Sequence, residues 1–272
     1  MKQDNSNFVT IQGENGCWSL RVAGNGRRGT VVALHGFARD SGYFSGMVRV
    51  LERDFTFIAP DLPFHGNTTW QAAFYTREDV LALFGQLCLL PAFKPPIYLL
   101  GHSMGARILL SVLPELPFEV VRVIALAPDG LASRGKFFSE GIPLGLRIRC
   151  KNRLMEPRLL LRVSSFLHSV GILPAFQHRY LQRQLGDGES SRRLYHTWLS
   201  LYHFRVRPGE LNQYRALKNL LYVWVLGSLD KIVLQKSAIR YLRKHKLDAG
   251  SVLHLVQDGH ELRNLDWPDL FE

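Results

Sequence analysis

Six short apolar runs, each six to nine residues long, alternate along this chain with longer amphipathic stretches, and no other feature restricts the fold as much. The runs are TVVALHG (30–36), FTFIAP (55–60), PIYLLG (96–101), VVRVIALAP (120–128), NLLYVWVLG (219–227) and SVLHLVQDG (251–259). Runs of this length that are apolar throughout and rich in β-branched residues read as strands buried on both faces. Helix-length connections between them imply a mostly parallel central sheet with helices on both faces, so the fold class is α/β. Helices are expected near 42–53, 77–90 and 233–245, and as a last short helix from about 261. Ile108, Leu109, Val112, Leu113 and Leu116 mark another at helical spacing. FVTI (8–11) and WSLRV (18–22), on either side of a Gly- and Asn-rich turn, predict an opening hairpin.

The alternation stops between 131 and 210. Helix-like pieces near 156–170, 176–186 and 190–204 are joined by Gly- and Pro-containing turns with no buried strand among them. This predicts a core domain of 1–130 with 211–272, and a helical cap of 131–210 lying over the carboxyl ends of the strands. The chain carries a formal charge of +11, yet residues 131–210 hold fourteen Lys and Arg against five Asp and Glu, which is +9, leaving only +2 elsewhere. Charge confined to one segment fits an anionic acyl substrate, weak association with an anionic membrane surface, or plain solvation, and no nucleic-acid partner is expected. In LRIRCKNRL (146–154), Arg147, Arg149, Lys151 and Arg153 recur at period two, which in an extended segment would set all four on one face. Leu159, Leu160, Leu161, Phe166, Leu167, Phe176, Trp198, Leu201 and Tyr202 are available to line a hydrophobic acyl pocket or to pack the cap.

With 272 residues, 46% of them hydrophobic, the chain buries a large core without help from a metal or a disulfide. Cys17, Cys88 and Cys150 are far apart and lack zinc or redox spacing, so no metal is expected and a reducing, cytoplasmic setting is. The opening MKQDNSNFVTIQGENG has no apolar leader core and no run reaches membrane-spanning length, which predicts a soluble, unsecreted protein.

GHSMG (101–105) lies directly after a predicted strand and directly before a predicted helix. The strained turn that exposes a nucleophile belongs there, and the glycines relieve its crowding. A serine hydroxyl needs a base, a group that orients the base, and donors for the developing oxyanion. His260 in VQDGHEL and Asp230 in LGSLDKIV both follow strands, in the chain order Ser, acid, His. Asp129 in LAPDGL is the alternative acid. LHGF (34–37) offers the backbone N–H of Phe37, and the helix start offers that of Met104. His35 and His102 are candidates for substrate contact, although His35 is expected chiefly to brace its loop. Arg107, one turn into the helix, leans back toward Ser103 and faces either a substrate carboxylate or an ion-pair partner such as Asp129 or Asp61.

Taken in order, LHGF, PDLPFHGNT, GHSMGA, GSLDKIV and DGHEL make the chain resemble the α/β-hydrolase family over nearly its whole length outside the insertion. The resemblance implies an α/β-hydrolase fold, a serine hydrolase without cofactor, Ser103 as nucleophile, Asp230 as acid, His260 as base, Phe37 and Met104 as oxyanion donors, and the insertion as the family's cap. It also implies a supporting role for Asp61. Phe64 departs from the pattern, because a glycine is common there. A serine nucleophile disfavours the haloalkane dehalogenases and epoxide hydrolases of the family, leaving carboxylic ester or thioester cleavage as the leading expectation. The arginine after SMGA is similar to that of the menaquinone-pathway synthases of this fold. A lyase, a synthase or a carbon–carbon bond hydrolase acting on a carboxylated substrate is therefore the alternative, and a non-catalytic binder of anionic surfaces the remote one.

Overall fold

The computed structural model describes residues 7–131, 142–151, 157–173 and 175–272. Its strands are β1 (Asn7–Gln12), β2 (Gly16–Gly24), β3 (Thr30–Leu34), β4 (Thr56–Pro60), β5 (Thr69–Trp70), β6 (Ile97–His102), β7 (Val120–Leu126), β8 (Leu221–Gly227) and β9 (Val252–Val256). They form one sheet in the order β1-β2-β4-β3-β6-β7-β8-β9, with β5 on β2. β1, β2 and β5 pair antiparallel, as does β2 with β4, while β4, β3, β6, β7, β8 and β9 run parallel. The helices are α1 (Ser45–Leu51), α2 (Arg77–Leu87), α3 (Met104–Val112), α4 (Leu144–Arg149), α5 (Arg158–Ser169), α6 (Ala175–Leu185), α7 (Gly188–Ser200), α8 (Pro208–Lys218) and α9 (Gln235–Lys244).

The central parallel strands β3, β4, β6 and β8 are buried on both faces because their residues are almost all apolar, whereas the edge strand β9 is exposed or half-buried along its length. Val31, Ala33, Phe57 and Val225 pack with Met47, Val48 and Leu51 of α1 and with Leu262, Leu270 and Phe271 near the carboxyl terminus. Val32 and Leu34 alternate to the opposite face, and α3 packs on β6 and β3. None of the described helices is long and apolar enough to cross a membrane.

Two expectations about local structure are corrected. No α-helix starts near 261; only a 3-10 turn forms at Pro268–Leu270, after a backbone reversal in which Leu262 takes φ 44°. The basic stretch from 146 does not begin extended: Leu146 to Arg149 are part of α4, so Arg147 and Arg149 do not share a face there. Arg147 is buried there, where it donates to the Ile142 carbonyl (3.0 Å) and the Trp198 carbonyl (2.7 Å). Its guanidinium also lies 5.3 Å from the Trp198 ring and 5.1 Å from the Tyr202 ring. Carbonyl oxygens and aromatic faces thus take up this charge within the protein. Arg149 and Lys151 are exposed, and Arg153 lies outside the described residues.

The chain divides into two compact units, Met1–Arg134 with Phe204–Glu272, and Gly135–His203. The second unit ends earlier than the expected 210, because Phe204 through Glu210 belong with the first unit, where the Phe204 carbonyl accepts from Arg107 and α8 begins at Pro208.

Candidate active site

Ser103 occupies the single-residue turn between β6 and α3, at φ 50° and ψ −112°. A non-glycine residue pays on the order of 1–3 kcal/mol for such a conformation, and the neighbouring backbone holds it in place. The Ser103 N–H donates to the Leu126 carbonyl at 2.8 Å, and its own carbonyl accepts from the N–H groups of Arg107 and Asp129, each at 3.2 Å. Gly101 and Gly105 permit the tight packing around it. A Cβ on Gly105 would stand 2.0 Å from the Leu34 carbonyl oxygen, and one on Gly101 would stand 2.4 Å from the Ala106 Cα. Gly105→Ala should therefore lower unfolding stability in urea by about 3 kcal/mol or more, since backbone lies on both sides of the clash.

The structure brings Ser103, His260 and Asp230 together from the carboxyl ends of β6, β9 and β8. His260 Nε2 is 2.9 Å from Ser103 Oγ, and His260 Nδ1 is 2.7 Å from Asp230 Oδ2. The other Asp230 oxygen, Oδ1, accepts the N–H groups of Ile232 (2.7 Å) and Val233 (2.9 Å), so the buried carboxylate is held from both ends. A carboxylate accepts only, so Nδ1 carries the imidazole proton and Nε2 is left free to accept from the serine hydroxyl. Close approach of two loops makes this possible: a Cβ on Gly227 would meet the Asp258 carbonyl oxygen at 2.5 Å and that of Gly259 at 2.7 Å.

His102 was expected to contact substrate, but its Nε2 lies 2.9 Å from the backbone carbonyl of His260. Its ring stacks on Tyr43 at 4.5 Å, and the Tyr43 hydroxyl donates to the Glu261 carbonyl at 2.7 Å. Arg39 and Glu261 close this cluster with a 2.6 Å ion pair. These groups hold the loop of His260 through its backbone, an arrangement invisible to residue-type reasoning. Burial lowers the His102 pKa to about 4, and the adjacent His260 acts in the same direction. The ring is then neutral, with its proton on Nε2. The unfolded chain protonates this histidine at about pH 6.5 while the fold resists until pH is near 4. Stability is therefore lost as pH falls through that window. His102→Gln lacks this liability and keeps a donor near Nε2, so its stability relative to wild type should rise by about 3 kcal/mol between pH 6.5 and 4 in parallel urea titrations.

His35 is fully buried and braces two loops: Nδ1 donates to the Gly36 carbonyl at 2.8 Å and Nε2 accepts the Leu62 N–H at 2.9 Å. Its burial pushes the imidazole pKa down, which keeps this neutral pairing. Asp61 is structural too, accepting the N–H of Ser41 (2.7 Å) and of Asn67 (2.8 Å). Phe64 adopts φ 69° where the family resemblance leads one to expect glycine, and its ring lies 6.3 Å from that of Tyr75. Phe37 is half-buried, its ring edge-on to His65 at 5.7 Å. Met104 opens α3, where an N–H has no acceptor within the helix.

Arg107 points to Asp129 (Nη1 to Oδ2, 3.2 Å) and donates from Nε to the Phe204 carbonyl at 2.8 Å. Asp129, the alternative acid, is thus the partner of Arg107, while Asp230 is the partner of His260. Within the second unit Phe166 is exposed, and the side chains of Leu159 and Phe176 lie outside the described residues.

A sequence model described as "Alpha/beta hydrolase family" matches residues 31–272. A Bacillus subtilis protein named "Uncharacterized hydrolase YugF" is 31% identical over 244 residues, which is 87% of this chain and 85% of that protein. "Monoacylglycerol lipase ABHD6" of Bos taurus is 27% identical over 122 residues, covering 42% of this chain and about a third (34%) of the lipase. Among solved structures, a thioesterase domain from the curacin biosynthetic pathway superposes with TM-score 0.62 at 15% identity, covering 98% of both chains. The carboxylesterase CesB of Bacillus subtilis gives 0.62 at 16% identity, covering 98% of this chain and 89% of that one. At such identities the superpositions establish the fold, and the match across 31–272 establishes the lineage: the chain belongs to the alpha/beta hydrolase family.

Proposed function

We propose that this hydrolase cleaves a carboxylic ester or thioester through an acyl-enzyme on Ser103. The observation that carries this reading is the unbroken hydrogen-bonded chain from Ser103 Oγ through the His260 imidazole to the Asp230 carboxylate, with spacings of 2.9 and 2.7 Å. As Oγ attacks the acyl carbon, its proton passes to His260 Nε2 and the carbonyl π pair moves onto oxygen. The N–H groups of Phe37 and Met104 receive that oxyanion. Collapse breaks the bond to the leaving group, which departs as alcohol or thiol with the proton from His260. Water then repeats the sequence on the acyl-enzyme and frees Ser103. Asp230 keeps the imidazole in its reactive tautomer and stabilises the imidazolium that forms.

The names of the similar proteins, a monoacylglycerol lipase, a carboxylesterase and a thioesterase, support an acyl substrate. A hydrophobic acyl group is the preferred class. The alternative lyase or synthase chemistry needs Arg107 for a substrate carboxylate, and its engagement by Asp129 and the Phe204 carbonyl counts against that. A fluorophosphonate probe tests the proposal: it should label Ser103 in the native protein and nothing after thermal unfolding, as read by peptide mass spectrometry. Labelling elsewhere, or none, would refute it.

A further inference from the structure

The second unit carries an exposed apolar strip with a cationic border. Val163 and Phe166 of α5 and Val170, which caps its carboxyl end, recur at i, i+3 and i+7 and so lie along one side of the helix, where they are 45%, 63% and 50% exposed. Ile172, in the turn that follows, is 70% exposed. Arg158 and Arg162, one turn apart and both exposed, run beside the strip. Ser164 is buried and Leu161 and Leu167 are half-buried on other sides of α5, which packs against α6. From Pro157 to Gly186 the sequence contains Arg158, Arg162, Arg179 and Arg183 and not one Asp or Glu.

These features together narrow the occupant. Packing alone would have turned Phe166 inward, whereas four bulky apolar side chains stand in water on one short hairpin. Nucleic acid would reward the arginines but offers nothing to valine and isoleucine. A bilayer bearing anionic phospholipids offers both: phosphate at the depth of guanidinium groups and hydrocarbon just beneath for the apolar strip. We propose that the α5 face, with Phe166 and Ile172 as its apolar anchors and Arg158 and Arg162 as its phosphate contacts, docks this protein on anionic phospholipid membranes. This goes beyond the ester or thioester reading and stands apart from it, because docking requires no turnover.

Flotation of the full chain with vesicles tests it, using phosphatidylcholine alone and phosphatidylcholine mixed with phosphatidylglycerol, at low and high salt. Binding should favour the anionic vesicles and weaken with salt. The pair Arg158→Gln/Arg162→Gln should lose about ten-fold or more in partitioning. Phe166→Ser/Ile172→Ser should lose a comparable factor, with circular dichroism melts confirming that both variants fold. Equal recovery on neutral vesicles, no recovery on either, or unchanged partitioning of both variants overturns the proposal. So does sedimentation showing that Phe166→Ser/Ile172→Ser breaks a dimer while vesicle binding persists, which would give the face to a second copy of the chain.

Discussion

If the proposed ester cleavage holds, turnover by the Ser103→Ala variant should fall about a million-fold, to the level that bound water and the oxyanion donors sustain alone. The size follows from the connectivity. His260 Nε2 has Ser103 Oγ as its partner at 2.9 Å, so removing that oxygen leaves the base with no nucleophile to activate, and Asp230 then orients an idle imidazole. The backbone keeps its shape, because alanine pays the same cost at φ 50° that serine does. Ser103→Gly is the informative companion. Glycine accepts this conformation readily, so the variant should be more stable than Ser103→Ala by about 1 kcal/mol or more while being equally inactive. Hydrolysis of p-nitrophenyl esters and urea unfolding of both proteins give the two readouts. Turnover within ten-fold of wild type in either variant would remove Ser103 from the mechanism.

The central strands were legible because parallel strands covered on both faces cannot alternate, and TVVAL, IYLLGH and LYVWVLG show that directly. The turn at Ser103 was legible for a local reason as well: glycines at 101 and 105 answer a steric demand made by Ala106 and by the Leu34 carbonyl. What escaped reading depends on backbone acceptors far away in sequence. His102 meets the carbonyl of a residue 158 positions later, and Arg107 meets one 97 positions later, and a carbonyl has no residue type to betray it. The period-two spacing of Arg147, Arg149, Lys151 and Arg153 would make a single charged face only in an extended segment, and spacing alone does not say whether the segment is extended. Once the Ile142 and Trp198 carbonyls are in place, Arg147 is an interior residue of a helical segment. Period alone cannot distinguish a buried cation from a solvated one.

Asp230→Asn should lower turnover about ten-thousand-fold while leaving the fold intact, and the reason lies in the carboxylate's two different ends. Oδ1 accepts two N–H groups, from Ile232 at 2.7 Å and Val233 at 2.9 Å, so an asparagine must keep its carbonyl oxygen there. Turning its amide nitrogen toward those donors would bury two facing N–H pairs. The nitrogen is therefore forced toward His260 Nδ1, where Asp230 Oδ2 now sits at 2.7 Å, and it presents a hydrogen. His260 answers by moving its proton to Nε2. That nitrogen then donates toward Ser103 Oγ where it used to accept, and the base is lost although every heavy atom stays in position. Asp129→Asn is the matched control. It weakens the ion pair that Asp129 makes with the buried Arg107, which should cost about 1–2 kcal/mol of stability after allowance for the partial exposure of Asp129. Its turnover should stay within about ten-fold of wild type, because none of its bonds reaches His260. A profile in which Asp129→Asn loses the larger factor, measured on both variants at matched folded fraction, would transfer the orienting role to Asp129. The opposite profile leaves a single explanation for the loss, the tautomer of one imidazole.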